Sequence, residues 1–433
     1  MDKDEKIVCS DMPADVEMAS GNTEVIRSSG LKRELGSRHI NMIAVAGMIG
    51  TGLFLSSGQV IATAGPVGAL LAYTLMGFVT AGVAYTTGEI TAFMPSTGGF
   101  VRHATKFVEP ALGAATGWNF WYTMAINMPA EISAAATLVQ FWNTSINPGV
   151  WITIFLLFII VANLCGAKLY GESEVVFASL KIMLIIGLII GGLVIDLGGA
   201  PNHERLGFRY WIHPGAFNTY IKDGSAGRFL AFWKAMLPAA FSYGNIQVVA
   251  ISGSETRNPR KLIPAATKKT FYRIFFFYFC SIFIVGLIVP YNDPALDVST
   301  GTASQSPFVI AFQRSGVSVV TYLRFFAGLK KQGYSREELP YKSPFQPYVA
   351  WATLLMVSLV ILFCGFDVFV KGHFTAQGFI TCYINIAIFA VLYAIFKLRL
   401  RSKVIPTSEI ELSEEFRSIR EEKQAEETDQ QQK

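Results

Sequence analysis

The chain has 433 residues, of which 52% are hydrophobic and only 15% charged, with a mean hydropathy of +0.41. A soluble domain carries about a quarter charged residues, so the composition excludes an ordinary soluble fold and predicts a polytopic membrane protein. The net charge of +5 is modest and lies in loops, which gives a nucleic-acid role no support.

In chain order, residues 1–38 are polar and mixed in charge and predict a disordered tail. No short apolar stretch with a small-residue cleavage site precedes the first long one, so no removable signal peptide is expected. Nine segments then read as membrane spans: about 40–62, 68–94, 111–142, 149–166, 175–198, 229–254, 273–290, 347–368 and 374–396. Segment 111–142 is too short for two crossings and predicts one long helix with Pro129 inside. Residues 408–433, rich in Glu and Gln, predict a solvated helix or a disordered tail. The organisation expected is therefore a tail over 1–38, a membrane domain over 39–400 and a second tail over 401–433.

Lysine and arginine in short loops set orientation. Lys32, Arg33 and Arg38 place the N-terminus in the cytoplasm, and Arg102, Lys106, Lys168, Arg257, Arg260 and Lys261 follow consistently through seven spans. Lys330, Lys331, Arg336 and Lys342 also call for the cytoplasm, as do Lys397, Arg399, Arg401 and Lys403. An odd number of crossings must then lie between about 305 and 330. The one candidate, 306–329, carries Gln313, Arg314 and Arg324 and makes a weak tenth span, since a central Arg costs roughly 2.5–3.5 kcal/mol to insert.

The first span holds A46-G-M-I-G-T-G-L53 at its centre. Each glycine weakens a helix by roughly 0.5–1 kcal/mol relative to Ala, and in lipid every backbone N–H and C=O needs a partner. A stretch that invites unwinding there is tolerable where it faces protein, water or a ligand. Span 229–254 holds a second such stretch, S242-Y-G-N-I-Q247, after Pro238. Two interrupted helices, the first and the sixth, are spaced as corresponding members of two five-helix repeats. Half-helix N–H groups suit a carboxylate and freed carbonyls an ammonium, so the pair suits a zwitterion such as an amino acid. The candidate substrate residues are Gly47, Met48, Ile49, Gly50, Thr51, Gly52, Ser242, Tyr243, Gly244, Asn245 and Gln247. A packing role for small residues in membrane helices is the competing account.

Ionisable residues inside spans are candidates for moving a proton. Glu131 in span three and Lys181 in span five are the principal ones; Glu89, near the end of span two, is expected to reach toward Arg102 or water. Five cysteines are scattered without metal-ligand spacing, and no Walker loop, H-E-x-x-H or G-x-S-x-G occurs, so neither a metal, a cofactor nor an enzyme's catalytic constellation is expected.

Six ordered stretches carry a resemblance: L31-K-R-E-L-G-S-R-H-I, I49-G-T-G-L-F, N147-P-G-V-W-I-T-I-F, G207-F-R-Y-W, E255-T-R-N-P-R-K-L-I-P and Y291-N-D-P. With them the chain resembles the fungal amino acid permeases of the amino acid–polyamine–organocation superfamily. The resemblance implies an all-α transporter of about twelve helices on two inverted five-helix repeats. It implies an amino acid bound between spans one and six, proton symport, and a place in the plasma membrane. It places a gating aromatic on Tyr243 and a lysine linked to proton coupling on Lys181.

Three departures stand out. Met48 occupies a position where the family carries Gly or Ser, and Gln247 stands where it usually has Glu, which favours neutral substrates or a broad range. After Q313-R-S-G-V317 the chain passes directly to S318-V-V-T-Y-L-R-F-F, which resembles the end of a tenth helix. Roughly eighty residues, nearly three helices at about 20 residues each plus loops, are missing from the second repeat. The expected function is amino acid transport; the alternatives are a transport-incompetent sensor or regulatory partner of a longer permease, or a non-functional product of mis-splicing or of a wrong gene model.

Overall fold

Helices follow one another along almost every apolar run. The computed structural model describes residues 42, 45, 47–54, 56–140, 145–164, 167–199, 203–244, 251, 258–293, 296 and 306–431, which belong to one unit, Lys32–Lys433. Among them are α1 (Thr51–Phe54), α2 (Ser56–Phe93), α3 (Phe100–Phe107), α4 (Pro110–Val139), α5 (Pro148–Leu164) and α6 (Ala167–Val194). These are followed by α7 (Gly224–Ser242), α8 (Pro259–Ile288), α9 (Ser306–Gln332), α10 (Tyr348–Phe363), α11 (Ala376–Leu400) and α12 (Ser413–Gln431). No strand occurs among the described residues. Four stretches among them are long and apolar enough to cross a membrane: Gly52–Phe93, Glu172–Gly199, Pro259–Ile288 and Cys382–Leu400. Two shorter apolar helices are α5 and α10.

α2 is two arms joined at a sharp bend. Gly65 has φ 75° and ψ 170°, and Pro66 follows it. A Cβ on Gly65 would lie 2.8 Å from Asn218 N and 2.9 Å from Ala216 O, so only glycine fits. The segment 216–218 splints the bend: Asn218 Nδ2 donates to Ala62 O at 2.7 Å and Asn218 N to Ala64 O at 3.1 Å. Those carbonyls would otherwise lose their helical donors at the proline. The bend separates the first expected span from the second.

The core is the second arm of α2 sandwiched between α7 and α8. Ala72, Tyr73, Met76 and Val83 from α2 meet Ala235, Met236 and Ala239 from α7 and Ile274, Tyr278 and Ile282 from α8, all buried. Small residues let the backbones approach closely. A Cβ on Gly77 would collide with Phe275 and one on Gly82 with Thr353 of α10. By contrast α5 has no buried residue and α6 exposes Leu180, Met183, Leu184, Leu188 and Ile190, as a lipid-facing helix does.

The last elements collect at one end of the bundle. Ile405 N donates to Val108 O at 2.9 Å, and Gln332 Nε2 donates to Thr407 O and Ile410 O at 3.1 and 2.8 Å. α12 lies against the same end: Phe416 stacks on Tyr334 at 4.3 Å between ring centres, and Phe416 and Ile419 are buried. Arg260 at the start of α8 pairs with Glu415 at 3.6 Å and Glu422 at 2.5 Å. The stretch expected as a solvated helix or a disordered tail is thus a helix with one face packed. Glu89, expected to reach toward Arg102 or water, is fully buried against Arg336 instead.

The weak candidate 306–329 proves to be part of a single helix, α9, about 40 Å long at 1.5 Å per residue. Val319, Tyr322, Phe325 and Leu329 line its buried face at helical spacing. The join at Val317–Ser318 falls inside it without interruption. Arg324 does not face lipid: its Nε donates to Phe107 O at 2.9 Å and its Nη2 to Ile405 O.

Candidate functional site

Helical backbone at Gly47 and Met48 gives way to bends at Ile49 and Gly50, and α1 resumes at Thr51. Met48 and Ile49 are buried at 4% and 1% exposure. Gly52 of α1 faces the end of α7, where Ser242 closes the helix and Tyr243 and Gly244 form a turn. The Gly244 N–H donates to Phe241 O at 2.9 Å. Asn245 and Gln247 lie outside the described residues.

A knot of hydroxyls joins the two stretches. Ser242 Oγ donates to Gly52 O at 2.6 Å and accepts from the Tyr73 hydroxyl at 2.9 Å. The Tyr278 hydroxyl lies 2.8 Å from Met48 O and 2.8 Å from Ser242 O. Gly52 packs directly on Ser242: a Cβ there would sit 2.8 Å from Ser242 Cα. Tyr73, Tyr243 and Tyr278 surround the knot with ring centres 4.9–6.2 Å apart. The Tyr243 hydroxyl is buried and has no hydrogen-bond partner among the described residues. Four helical segments, α1, α2, α7 and α8, therefore meet at one buried polar point.

Glu131 and Lys181 approach the same region from the other side. Glu131 Oε1 lies 3.6 Å from where a Cβ on Gly50 would be. Lys181 interacts electrostatically with Glu174 and Glu131. Lys181 and Glu174 also line a shallow groove of about 350 Å³ on α6, together with Phe177, Leu180 and Leu184. Of the expected residues, Met48, Gly52, Ser242 and Tyr243 come together, and Gly50, Glu131 and Lys181 form a chain leading away from them. Gly47 has nothing within 4 Å of its Cβ position, and Thr51 opens α1. No group of His, Cys, Asp or Glu suited to a metal occurs among the described residues.

Tyr73 and Tyr278 were invisible in the sequence. Tyr73 sits in L70-L-A-Y-T and Tyr278 in the run F275-F-F-Y-F, where an aromatic reads as packing. The signal available was a general one: a buried Tyr O–H usually finds a partner.

Comparison with known proteins supplies the family. A family model described as Amino acid permease matches residues 39–321 and 316–406, two pieces that meet across the Val317–Ser318 join. The chain is 32% identical over 480 residues to a proline-specific permease of Emericella nidulans, covering 88% of this chain and 87% of that protein. It is likewise 32% identical over 484 residues to a dicarboxylic amino acid permease of Saccharomyces cerevisiae, covering 88% and 79%. An S-adenosylmethionine permease of Candida albicans is 41% identical over 293 residues, 68% of this chain and 47% of that one. The first of these alignments extends over 480 residues yet draws on 88% of 433, so about a hundred aligned positions have no residue here. With a family match over most of its length, long alignments to permeases and a bundle of apolar helices, the chain belongs to the amino acid permease family and is a multi-pass membrane transport protein, not an enzyme.

Proposed function

We propose that this chain moves amino acids into the cell by proton symport, holding the substrate between the interruption at Met48–Gly52 and the end of α7 at Ser242–Gly244. The observation that carries the reading is the hydroxyl knot: the Met48 and Ser242 carbonyls, from two helical stretches, share the Tyr278 hydroxyl, and the Gly52 carbonyl accepts from the Ser242 hydroxyl beside it. Converging carbonyls suit an ammonium, and the N–H groups opening α1 suit a carboxylate. Asn245 and Gln247 extend this site along the chain beyond Gly244. Lys181 and Glu131 carry the proton: the two interact electrostatically, and Glu131 Oε1 approaches Gly50 at the edge of the site. Relatives are named for proline, dicarboxylic and basic amino acids; Gln247 favours neutral amino acids or a broad range here.

The two arms of α2, the first continuing α1, and the eight helices α4–α11 make ten crossings, with α9 supplying the one that the loop charges demand. Both tails then lie in the cytoplasm, 1–38 and 401–433 flanking a membrane domain over 39–400. The architecture is the inverted-repeat fold with its second repeat shortened, placed in the plasma membrane. Uptake of labelled amino acids into cells lacking their own permeases, at pH 5 and with a protonophore, tests the reading. Saturable, protonophore-sensitive uptake is expected; its absence with every amino acid overturns it.

A second reading is favoured by the hundred or so unmatched positions. A chain short of those helices would bind an amino acid, or a longer permease, without transporting. Saturable binding with no uptake distinguishes it.

A further inference from the structure

The Tyr278 hydroxyl is equidistant from two backbone carbonyls belonging to two different helices, Met48 O and Ser242 O, at 2.8 Å each. Tyr278 itself is fully buried. A hydroxyl carries one proton and can satisfy only one carbonyl fully at a time. An ammonium nitrogen bonded to the same two oxygens would sit at about 2.7–2.9 Å from each, the distance at which the hydroxyl oxygen already stands. On the side that Tyr278 occupies, hydroxyl and ammonium exclude one another.

The surroundings are tightly packed: Gly52 is in direct contact with Ser242, where a Cβ would lie 2.8 Å from Ser242 Cα. Beside them the buried Tyr243 hydroxyl has no partner among the described residues, a polar group oriented for something other than this closed packing. Tyr73 plays a different part: it donates to Ser242 Oγ, and Gly52 O keeps its bond from Ser242 whether or not Tyr73 is there.

We propose that the Tyr278 hydroxyl substitutes for the substrate ammonium in the empty carrier, capping Met48 O and Ser242 O so that the unloaded protein can close and return. The inference rests on the transport reading above and adds to it a positioning residue on α8. In lipid an uncapped carbonyl is costly. A carrier that performs net uptake must pass through its closed state empty once per cycle, whereas one exchanging substrate for substrate never does. Removing the hydroxyl therefore separates the two modes. Net uptake loses its return step; exchange keeps the ammonium as the donor.

The test uses the full chain purified and reconstituted in liposomes, with each of the twenty L-amino acids labelled in turn as probe. Net uptake into unloaded liposomes under an inward proton gradient is compared with exchange into liposomes preloaded with the same unlabelled amino acid. For Tyr278→Phe, net uptake is expected to fall about tenfold, the effect of one unsatisfied buried carbonyl, while exchange stays within about threefold of wild type. Tyr73→Phe is expected to lower both modes in proportion. Equal change in the two modes for Tyr278→Phe, or no change in either, overturns the proposal while leaving the transport reading intact. A wild type inactive in both modes with all twenty probes overturns the transport reading and this one with it. Should Tyr278→Phe prove unstable, it is purified with and without the amino acid that wild type carries. Recovery only in its presence supports the proposal, and loss under both conditions overturns it.

Discussion

Glu89 and Arg336, 247 positions apart in the chain, meet in a two-pronged ion pair at the end of the bundle where the last elements collect. Arg336 Nε and Nη2 donate to the two Glu89 oxygens at 3.0 and 2.7 Å, and the carboxylate is wholly buried. Ser343 adds its N–H at 2.7 Å and its hydroxyl, while Arg336 Nη2 also reaches Ser343 O at 2.9 Å. Arg336 is thereby locked between the end of α2 and the loop after α9.

This pair should behave as a buried one. Arg336→Ala leaves a carboxylate without its cation and is expected to cost about 3–5 kcal/mol. The double variant Glu89→Gln with Arg336→Gln is expected to recover most of the loss, since no uncompensated charge remains. Thermal unfolding of wild type and the two variants in detergent makes the comparison; a double variant no better than Arg336→Ala would show that the pair is not what Arg336 contributes.

The tail helix should be held by its apolar face rather than its charges. Phe416 is 1% exposed and rests on Tyr334 and Phe93, so Phe416→Ala is expected to cost about 3–5 kcal/mol locally. Arg420 meets Glu338 at 2.6 Å, but both are substantially exposed, and Arg420→Ala is expected to cost under about 1 kcal/mol. Tryptic cleavage at Arg417 reads the difference: faster in Phe416→Ala, near wild type in Arg420→Ala.

His103 should make the same end acid-sensitive. It is buried at 1% exposure in α3, with Nε2 2.8 Å from Met94 O and Nδ1 unpartnered among the described residues. Burial lowers its pKa to about 4, against the opposing effect of the Met94 hydrogen bond. The unfolded chain titrates near 6.5, so it binds the proton first. Stability present above pH 6.5 is lost as pH falls toward 4, by at most about 3 kcal/mol. His103→Gln is expected to flatten that part of the stability profile relative to wild type, measured by melting temperature at half-unit steps of pH.

Gly52 should tolerate nothing larger. A methyl group there meets Ser242 Cα at 2.8 Å, a backbone atom that cannot swing aside. Gly52→Ala is expected to cost about 1–3 kcal/mol by overpacking and to abolish uptake. Gly187→Ala on α6, where nothing lies within 4 Å, is the matched control and is expected to retain uptake.

Much of this bundle was legible in the sequence because apolar runs and helices coincide where a helix only has to face lipid. Segment 149–166 became Pro148–Leu164, and 111–142 became Pro110–Val139 with Pro129 inside. Hydropathy failed where polar side chains find protein partners. α8 starts at Pro259, not near 273, because Arg260 is paired with the tail helix, and α9 was undervalued because Arg324 is capped by two carbonyls. The glycine-rich stretch and the end of α7 were singled out from residue chemistry alone. The tyrosines that join them were not, since a hydroxyl's partner on another helix leaves no trace in its own neighbourhood.

α9 has one more consequence. Its turns run unbroken through Val317–Ser318 and end against the tail. Segments on either side of the join share one helical phase, so the chain beyond it emerges rotated and directed as a single rod dictates. On the ten-crossing topology proposed above, that rod delivers the final hairpin to the side that the loop charges demand.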